Sequence, residues 1–214
     1  MFTDIVFPSN NEDKFIAMAQ ILGYKSICFA YNFDKNNINK SLDLIKNKQE
    51  SAKLKIYTAI LANFNKISRA KKLVELVLVQ NSEKNREVLE KSEASVLFEL
   101  ESQNKRDFMH HRASGLNHIL CSLANKNRKI IGFSFNSILN SKYKAQTLGR
   151  ISQNIRLCRK YKVKTLIGSF AQTPFEMRSP YDLISLFVVL GMHPKDAKDS
   201  ISMNLSNSLN ENKL

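Results

Sequence analysis

Two rhythms of apolar residues alternate along the chain. Short, nearly unbroken apolar runs at residues 2–7, 26–31, 54–61, 73–80, 95–100, 129–135 and 164–169 predict strands. The run LVELVLVQ among them reads as a strand covered on both faces. Between these runs the spacing lengthens to that of a helix. Phe15, Met18, Ala19 and Leu22 share one helical stripe, with Asn11 placed to cap its start and Gly23 to close its end. Further helices are expected over residues 39–49, carrying Leu42 and Ile45, and over residues 82–90, 114–125, 143–161, 180–190 and 194–202. Gly191 follows the helix that begins at Pro180, and Pro194, preceded by His193, opens the last one.

Strands separated by helical segments build βαβ units on a parallel sheet. Seven strands within 214 residues fit one compact α/β domain, an irregular (β/α) barrel, with an open doubly wound sheet as the alternative. The domain is expected to span residues 1–203, and the Asn- and Ser-rich residues 204–214 to fray.

Composition is that of an ordinary globular protein, with 43% hydrophobic and 24% charged residues. The charge balance is not ordinary. Thirty-three Lys and Arg oppose 19 Asp and Glu, a net charge of +14. Such a charge repels itself in the compact state, and a polyanion relieves the repulsion while releasing its own counterions. An AT-rich genome, which raises Lys and Asn together, is the other source of such a composition. Distribution weighs between the two: residues 102–175 hold fourteen Lys or Arg and the single acid Asp107, which is +13 of the total. Compositional drift would spread the charge evenly, so the asymmetry favours nucleic acid.

Cys28, Cys121 and Cys158 are widely spaced and lie among apolar neighbours, as reduced, buried thiols do. The N-terminus has no charged start ahead of an apolar stretch, and no 18 consecutive residues are apolar. A cytoplasmic protein without a membrane partner is therefore expected.

Two runs are chemically distinctive. In residues 107–118, Asp107, His110, His111 and Arg112 stand just ahead of a predicted helix, with Ser114 a candidate N-cap and Asn117 and His118 following. In a (β/α) fold, ligand-binding groups gather where strands lead into helices, and a helix N-terminus suits a phosphate. Residues 168–183 leave a strand at Ser169, cross a loop through Glu176 and Arg178, and enter a helix by Ser179 and Pro180, with Asp182 in its first turn. Glu176 and Arg178 can pair to hold that loop, or Arg178 can face solvent and meet a phosphate. On the long predicted helix, Leu148, Ile151, Ile155 and Cys158 form one stripe, and Arg150, Arg156 and Lys160 are expected on the exposed side. Arg112, beside a helix start, is the first candidate for a nucleic-acid phosphate; Arg150, Arg156 and Lys160 come next, and Arg178 last. Asp4, an acid inside the first strand at a barrel end, is expected to be held by hydrogen bonds or a basic partner.

Four stretches occur in one order: Asp4-Ile5-Val6-Phe7-Pro8, the HRASGLNH run, the SFA…EMRSPYDL run, and Leu190-Gly191-Met192 followed by Ala197-Lys198. Together they resemble the ribonuclease P protein component 3 family, the archaeal counterpart of the eukaryotic thirty-kilodalton subunit. The resemblance implies an incomplete TIM-like barrel related to the polymerase and histidinol phosphatase superfamily. It implies a subunit of the RNA-based endoribonuclease that removes the 5′ leader from precursor tRNA. There the RNA carries the chemistry through bound Mg²⁺, and the protein subunits brace that RNA and engage substrate. Implied partners are ribonuclease P RNA, protein component 2 and other protein subunits, with precursor tRNA as substrate. The loop positions that match the family's motifs are Asp4, Asp107, His111, Ser114, Asn117, Ser169, Glu176 and Asp182.

The rival reading is a remnant metal-dependent phosphoesterase of the same superfamily. Its active members need His-x-His near the first strand, where this chain has Val6-Phe7-Pro8. Three of the four histidines, His110, His111 and His118, lie in one connection, and His193 stands apart. A multinuclear site draws ligands from several strand ends. No catalytic residue and no metal ligand is therefore assigned, although one adventitious ion at His110 or His111 remains an alternative to simple loop packing. No P-loop, G-x-S-x-G elbow or G-x-G-x-x-G run is present.

Overall fold

A computed structural model describes residues 1–34, 38–51, 53–102 and 106–202 of the chain. Its strands are β1 (Thr3–Val6), β2 (Ser26–Asn32), β3 (Lys55–Leu61), β4 (Leu76–Gln80), β5 (Val96–Phe98), β6 (Ile130–Ser134) and β7 (Thr165–Gly168). The helices among the described residues are α1 (Glu12–Ile21), α2 (Ile38–Ser51), α3 (Ile67–Lys71), α4 (Asn85–Lys91), α5 (His118–Lys126), α6 (Phe135–Leu139), α7 (Lys144–Lys160), α8 (Pro180–Val189) and α9 (Pro194–Ser202). The strands pair in parallel and in chain order from β1 to β7. The sheet curls into a nearly closed TIM-like barrel, the first of the two folds expected. The expected fraying of residues 204–214 lies outside the described residues.

Side chains alternate between two cores, as the twofold period of a strand requires. Ile5, Cys28, Ala30, Ala59, Leu78, Val96, Phe98 and Leu166 point into the barrel. Val6, Ile27, Phe29, Ile60, Val77, Leu97 and Ile167 point outward under the helices. Small residues inside, such as Ala30 and Ala59, suit a barrel narrower than the usual eight strands. All three cysteines are buried and free.

The predicted elements differ from the observed ones at their ends. Leu73, 42% exposed, lies ahead of β4 and not in it. The helix expected from residue 82 starts later, because Asn85 Oδ1 accepts the Ser82 N–H at 2.9 Å and folds the approach into a turn. Asn11 occupies the N-cap position of α1, yet its side chain accepts from Ser9 N at 2.9 Å and caps no helical amide. The short helices α3 and α6 lack a full amphipathic period, so apolar spacing does not predict them. No helix among the described residues is long and apolar enough to cross a membrane.

Candidate functional site

The barrel closes at a seam between its first and last strands. β1 and β7 share no ladder; beyond their ends Val6 bridges Ala171, and Phe7 N–H donates to Ala171 O at 2.8 Å. Asp4 supplies the rest. One carboxylate oxygen accepts from Ser169 N at 2.6 Å and from Ile5 N at 2.9 Å, and the other from Ser169 Oγ at 2.6 Å. Asp4 and Ser169 are both fully buried. Burial raises the Asp4 pKa to about 6, and the hydrogen bonds from Ser169 and Ile5 keep it from rising further. The hydrogen-bonded acid expected at this position is thus the clasp of the barrel.

At the carboxyl ends of the strands the barrel opens into a cavity of about 1350 Å³. Its floor is aromatic: Phe98 stacks on Phe170 at 4.8 Å between centroids, and Phe7 packs within 6.2 Å of both. Phe170 holds a left-handed φ of 51°, unusual for a bulky residue, fixed by the clasp at Ser169 and by this stack. The cavity carboxylates are Glu99 and Glu101. Glu101 is 2% exposed; one oxygen accepts from Ser137 Oγ at 2.7 Å, and the other has no hydrogen-bond partner. Burial, with a smaller push from Glu99, raises its pKa to about 7 against the pull of Ser137 and Arg150. Among the described residues no histidine lines this cavity and no three His, Cys, Asp or Glu converge. With phenylalanines on the floor and a lone buried acid, the residues present do not fit the multinuclear metal centre of a phosphoesterase.

The connection ahead of α5 is organised by α7. Asp107 forms an ion pair with Arg150 at 2.7 Å and accepts the Ala113 N–H at 2.9 Å. Partial burial would raise the Asp107 pKa, but hydrogen bonds from Ala113, Arg150 and Gln146 outweigh it and hold the carboxyl below its usual range. Arg150 is 4% exposed and also donates to the Glu101 carbonyl at 2.9 Å. Its expected place on the exposed side of the helix is therefore corrected: it lies on the inner side with Ile151, Asn154 and Ile155. Desolvation of the guanidinium is compensated by Asp107, 43 residues upstream, which no helical wheel reveals.

Ser114 is not the cap of α5. That role belongs to Asn117, whose side chain accepts from Leu120 N at 2.9 Å; Ser114 is buried, and its carbonyl accepts from Asn154 Nδ2 at 2.8 Å. Gly115, between them, has φ of 81°, and a Cβ there would overlap the Leu100 carbonyl. It is a determinant of the loop that lies within the motif, yet polarity and spacing alone do not mark it. Arg112 is exposed, and its guanidinium lies against Gly149 of α7, where any Cβ would sit 2.9 Å from Nε. His111 is exposed and stacks on Phe108 with centroids 4.5 Å apart.

In the second motif the expected Glu176–Arg178 pair does not form. Glu176 accepts from Gln172 N at 2.7 Å and Thr173 N at 3.2 Å, closing a capping box on its own turn. Arg178 donates to the carbonyls of Phe175 and Met177 at 2.9 and 2.7 Å and lies over the Phe135 ring. Asp182, exposed in the first turn of α8, gives its N–H to the Ser179 cap at 3.2 Å.

The basic segment folds into α5, β6, α6, α7 and β7, adjoining elements on one side of the barrel. Arg156, Arg159 and Lys160 on α7, Lys126 and Arg128 at the end of α5, and Lys142 and Lys144 before and within the first turn of α7 are exposed. Arg156 is held only by weak hydrogen bonds to Ser152 at 3.4 and 3.5 Å. Lys129, by contrast, is tied to the Ser92 and Ala94 carbonyls.

The family model described as RNase P subunit p30 matches residues 1–214. Ribonuclease P protein component 3 of Methanosarcina barkeri is 27% identical over 202 residues, covering 91% of this chain and 80% of that protein. Among solved structures, a chain of archaeal ribonuclease P, determined by cryo-EM with mature tRNA, superposes with a TM-score of 0.80 at 22% identity, covering 97% of this chain and 90% of that one. Histidinol phosphate phosphatase from Lactococcus lactis, complexed with zinc, L-histidinol and phosphate, gives 0.63 at 12% identity, covering 90% and 94%. The two structures share this barrel fold.

Proposed function

Because the chain belongs to the RNase P subunit p30 family, we propose that it is a protein subunit of ribonuclease P, bracing the catalytic RNA and helping to engage precursor tRNA. The observation that carries this reading is the set of exposed cations on α5 and α7, adjoining helices on one side of the barrel. Cations on such a flank release the counterions condensed on an RNA backbone, and the gain needs no chemistry from the protein. Cleavage then rests with the RNA subunit and the Mg²⁺ bound there. Arg112, Arg156 and Lys160 are the phosphate-facing candidates. Arg150 keeps an indirect role, positioning the loop that carries Arg112 through Asp107. Arg178, half spent on its own loop carbonyls, is the weakest candidate.

Component 2 and the other protein subunits of the enzyme are the protein partners this membership suggests, and the cytoplasm is the compartment. The test is to recover the chain from its own cells and sequence the RNA that comes with it. Enrichment of ribonuclease P RNA and precursor tRNAs is expected. A diffuse RNA population would instead make the chain a general RNA-binding barrel.

A further inference from the structure

We propose that the exposed Phe108–His111 pair is a stacking platform for an unpaired RNA base, with Arg106 and Arg112 taking the flanking phosphates. The inference deepens the reading of the chain as an RNA-bound subunit and rests on it. Phe108 is 56% exposed and its neighbour Met109 91%, a cost in water that no packing within the described residues recovers. The pair has a defined geometry. Its rings lie nearly parallel, 25° apart with centroids at 4.5 Å, and Phe108 N–H donates to His111 O at 3.0 Å, closing the loop on itself. Asp107, one residue before, is bolted to α7 by Arg150, and Arg112, one residue after, rests on Gly149. An aromatic face is therefore presented to solvent from a turn fixed at both ends.

The surroundings select the occupant. Arg106, His110, His111 and Arg112 are all exposed. The adjacent acid, Asp107, is neutralised by Arg150, so the local field is positive. An apolar protein helix would gain little from the two exposed arginines. A single-stranded nucleotide offers both a base face to the aromatic pair and a phosphate to each arginine. Stacking is tolerant of base identity, so the platform fits a nucleotide splayed from a loop or bulge of a large RNA without reading its sequence.

The experiment uses the full chain, ribonuclease P RNA from the same cells, and a short single-stranded oligoadenylate carrying a fluorescent adenine analogue. Phe108→Ala and Phe108→Leu should keep the melting temperature, weaken oligonucleotide binding about five- to a hundredfold, and abolish quenching of the analogue. The slope of binding against salt should not change, because no charge is removed. Phe108→Trp should restore both affinity and quenching. Leu in place of Phe binding as well as the parent would overturn the proposal, since apolar bulk and not a π face would then suffice. Unchanged affinity in Phe108→Ala, or a loss confined to association with another protein, overturns it too. Failure of the parent chain to bind ribonuclease P RNA overturns the underlying reading as well, a result distinct from any failure seen only in the Phe108 variants.

Discussion

Asp4 shows how one side chain can replace the hydrogen bonds of a missing strand pairing. Across the seam it accepts from the Ser169 amide and hydroxyl, within β1 it accepts from the Ile5 amide, and its removal takes the acceptor from these buried donors. Asp4→Ala should cost about 1–3 kcal/mol in urea or thermal melts. Asp4→Asn keeps an acceptor for both amides and a donor for Ser169 Oγ, so it should stay near the parent; equal losses in the two variants would mean that burial volume, not hydrogen bonding, matters here. Glu101 carries a different signature. Its pKa is raised to about 7 in the folded chain from an ordinary value of 4.5, so the folded state holds the proton more tightly than the unfolded state. The associated stability is complete below about pH 4.5 and is lost as pH rises through about 7. Glu101→Gln cannot titrate, so its stability relative to the parent should improve by about 3 kcal/mol between pH 4.5 and 8. A pH-independent difference between the two melts would remove the buried ionisation from the account.

At the scale of elements, the alternation of strands and helices could be read almost completely from apolar periodicity, because most strands are buried on both faces and the long helices on one. What could not be read were tertiary decisions. Ser114 and Asn117 are both good caps by residue type, and the choice between them is made by Gly115, whose positive φ seats the chain against Leu100 and sends Ser114 inward. Gly115→Ala should therefore destabilise by at least about 2 kcal/mol, combining a strained φ with a backbone overlap. A thermal melt checks it. Gly149 sits within α7 and is crowded only by the movable Arg112 guanidinium. Gly149→Ala should gain about 0.5–1 kcal/mol of helix stability while displacing Arg112. Loss of RNA affinity in a variant that melts higher would assign Arg112 to binding; retained affinity would leave it a surface ornament of α7. The misplacement of Arg150 has the same origin as that of Ser114. A helix's own pattern ranks residues by polarity, and only the Asp107 partner from another connection makes an arginine an inward residue.

At the scale of the whole molecule, the question is which of the fourteen cations in residues 102–175 meet phosphate. Salt dependence separates them. Each phosphate-binding cation removed by mutation lowers the slope of log K against log salt by about 0.9 on a duplex, by analogy with DNA. Arg156 and Lys160 stand free of strong internal bonds on the solvent face of α7. Replacing both with Ala should leave the melting temperature within about 1 °C, since exposed substitutions away from packed features are nearly neutral. It should also flatten the slope for ribonuclease P RNA by about twice that single-cation decrement. Arg150→Ala should do the reverse: removing the guanidinium unpairs Asp107 and strips the Glu101 carbonyl of a donor, at about 3 kcal/mol or more. Any RNA affinity it loses should then follow the unfolding of the Arg112 loop, and should return in conditions that restabilise the fold. The two variants thus move two observables in opposite patterns. If Arg156 and Lys160 instead shift the melt while Arg150 alone shifts the slope, the cationic flank is a folding device, and the RNA is held by a different face of the barrel.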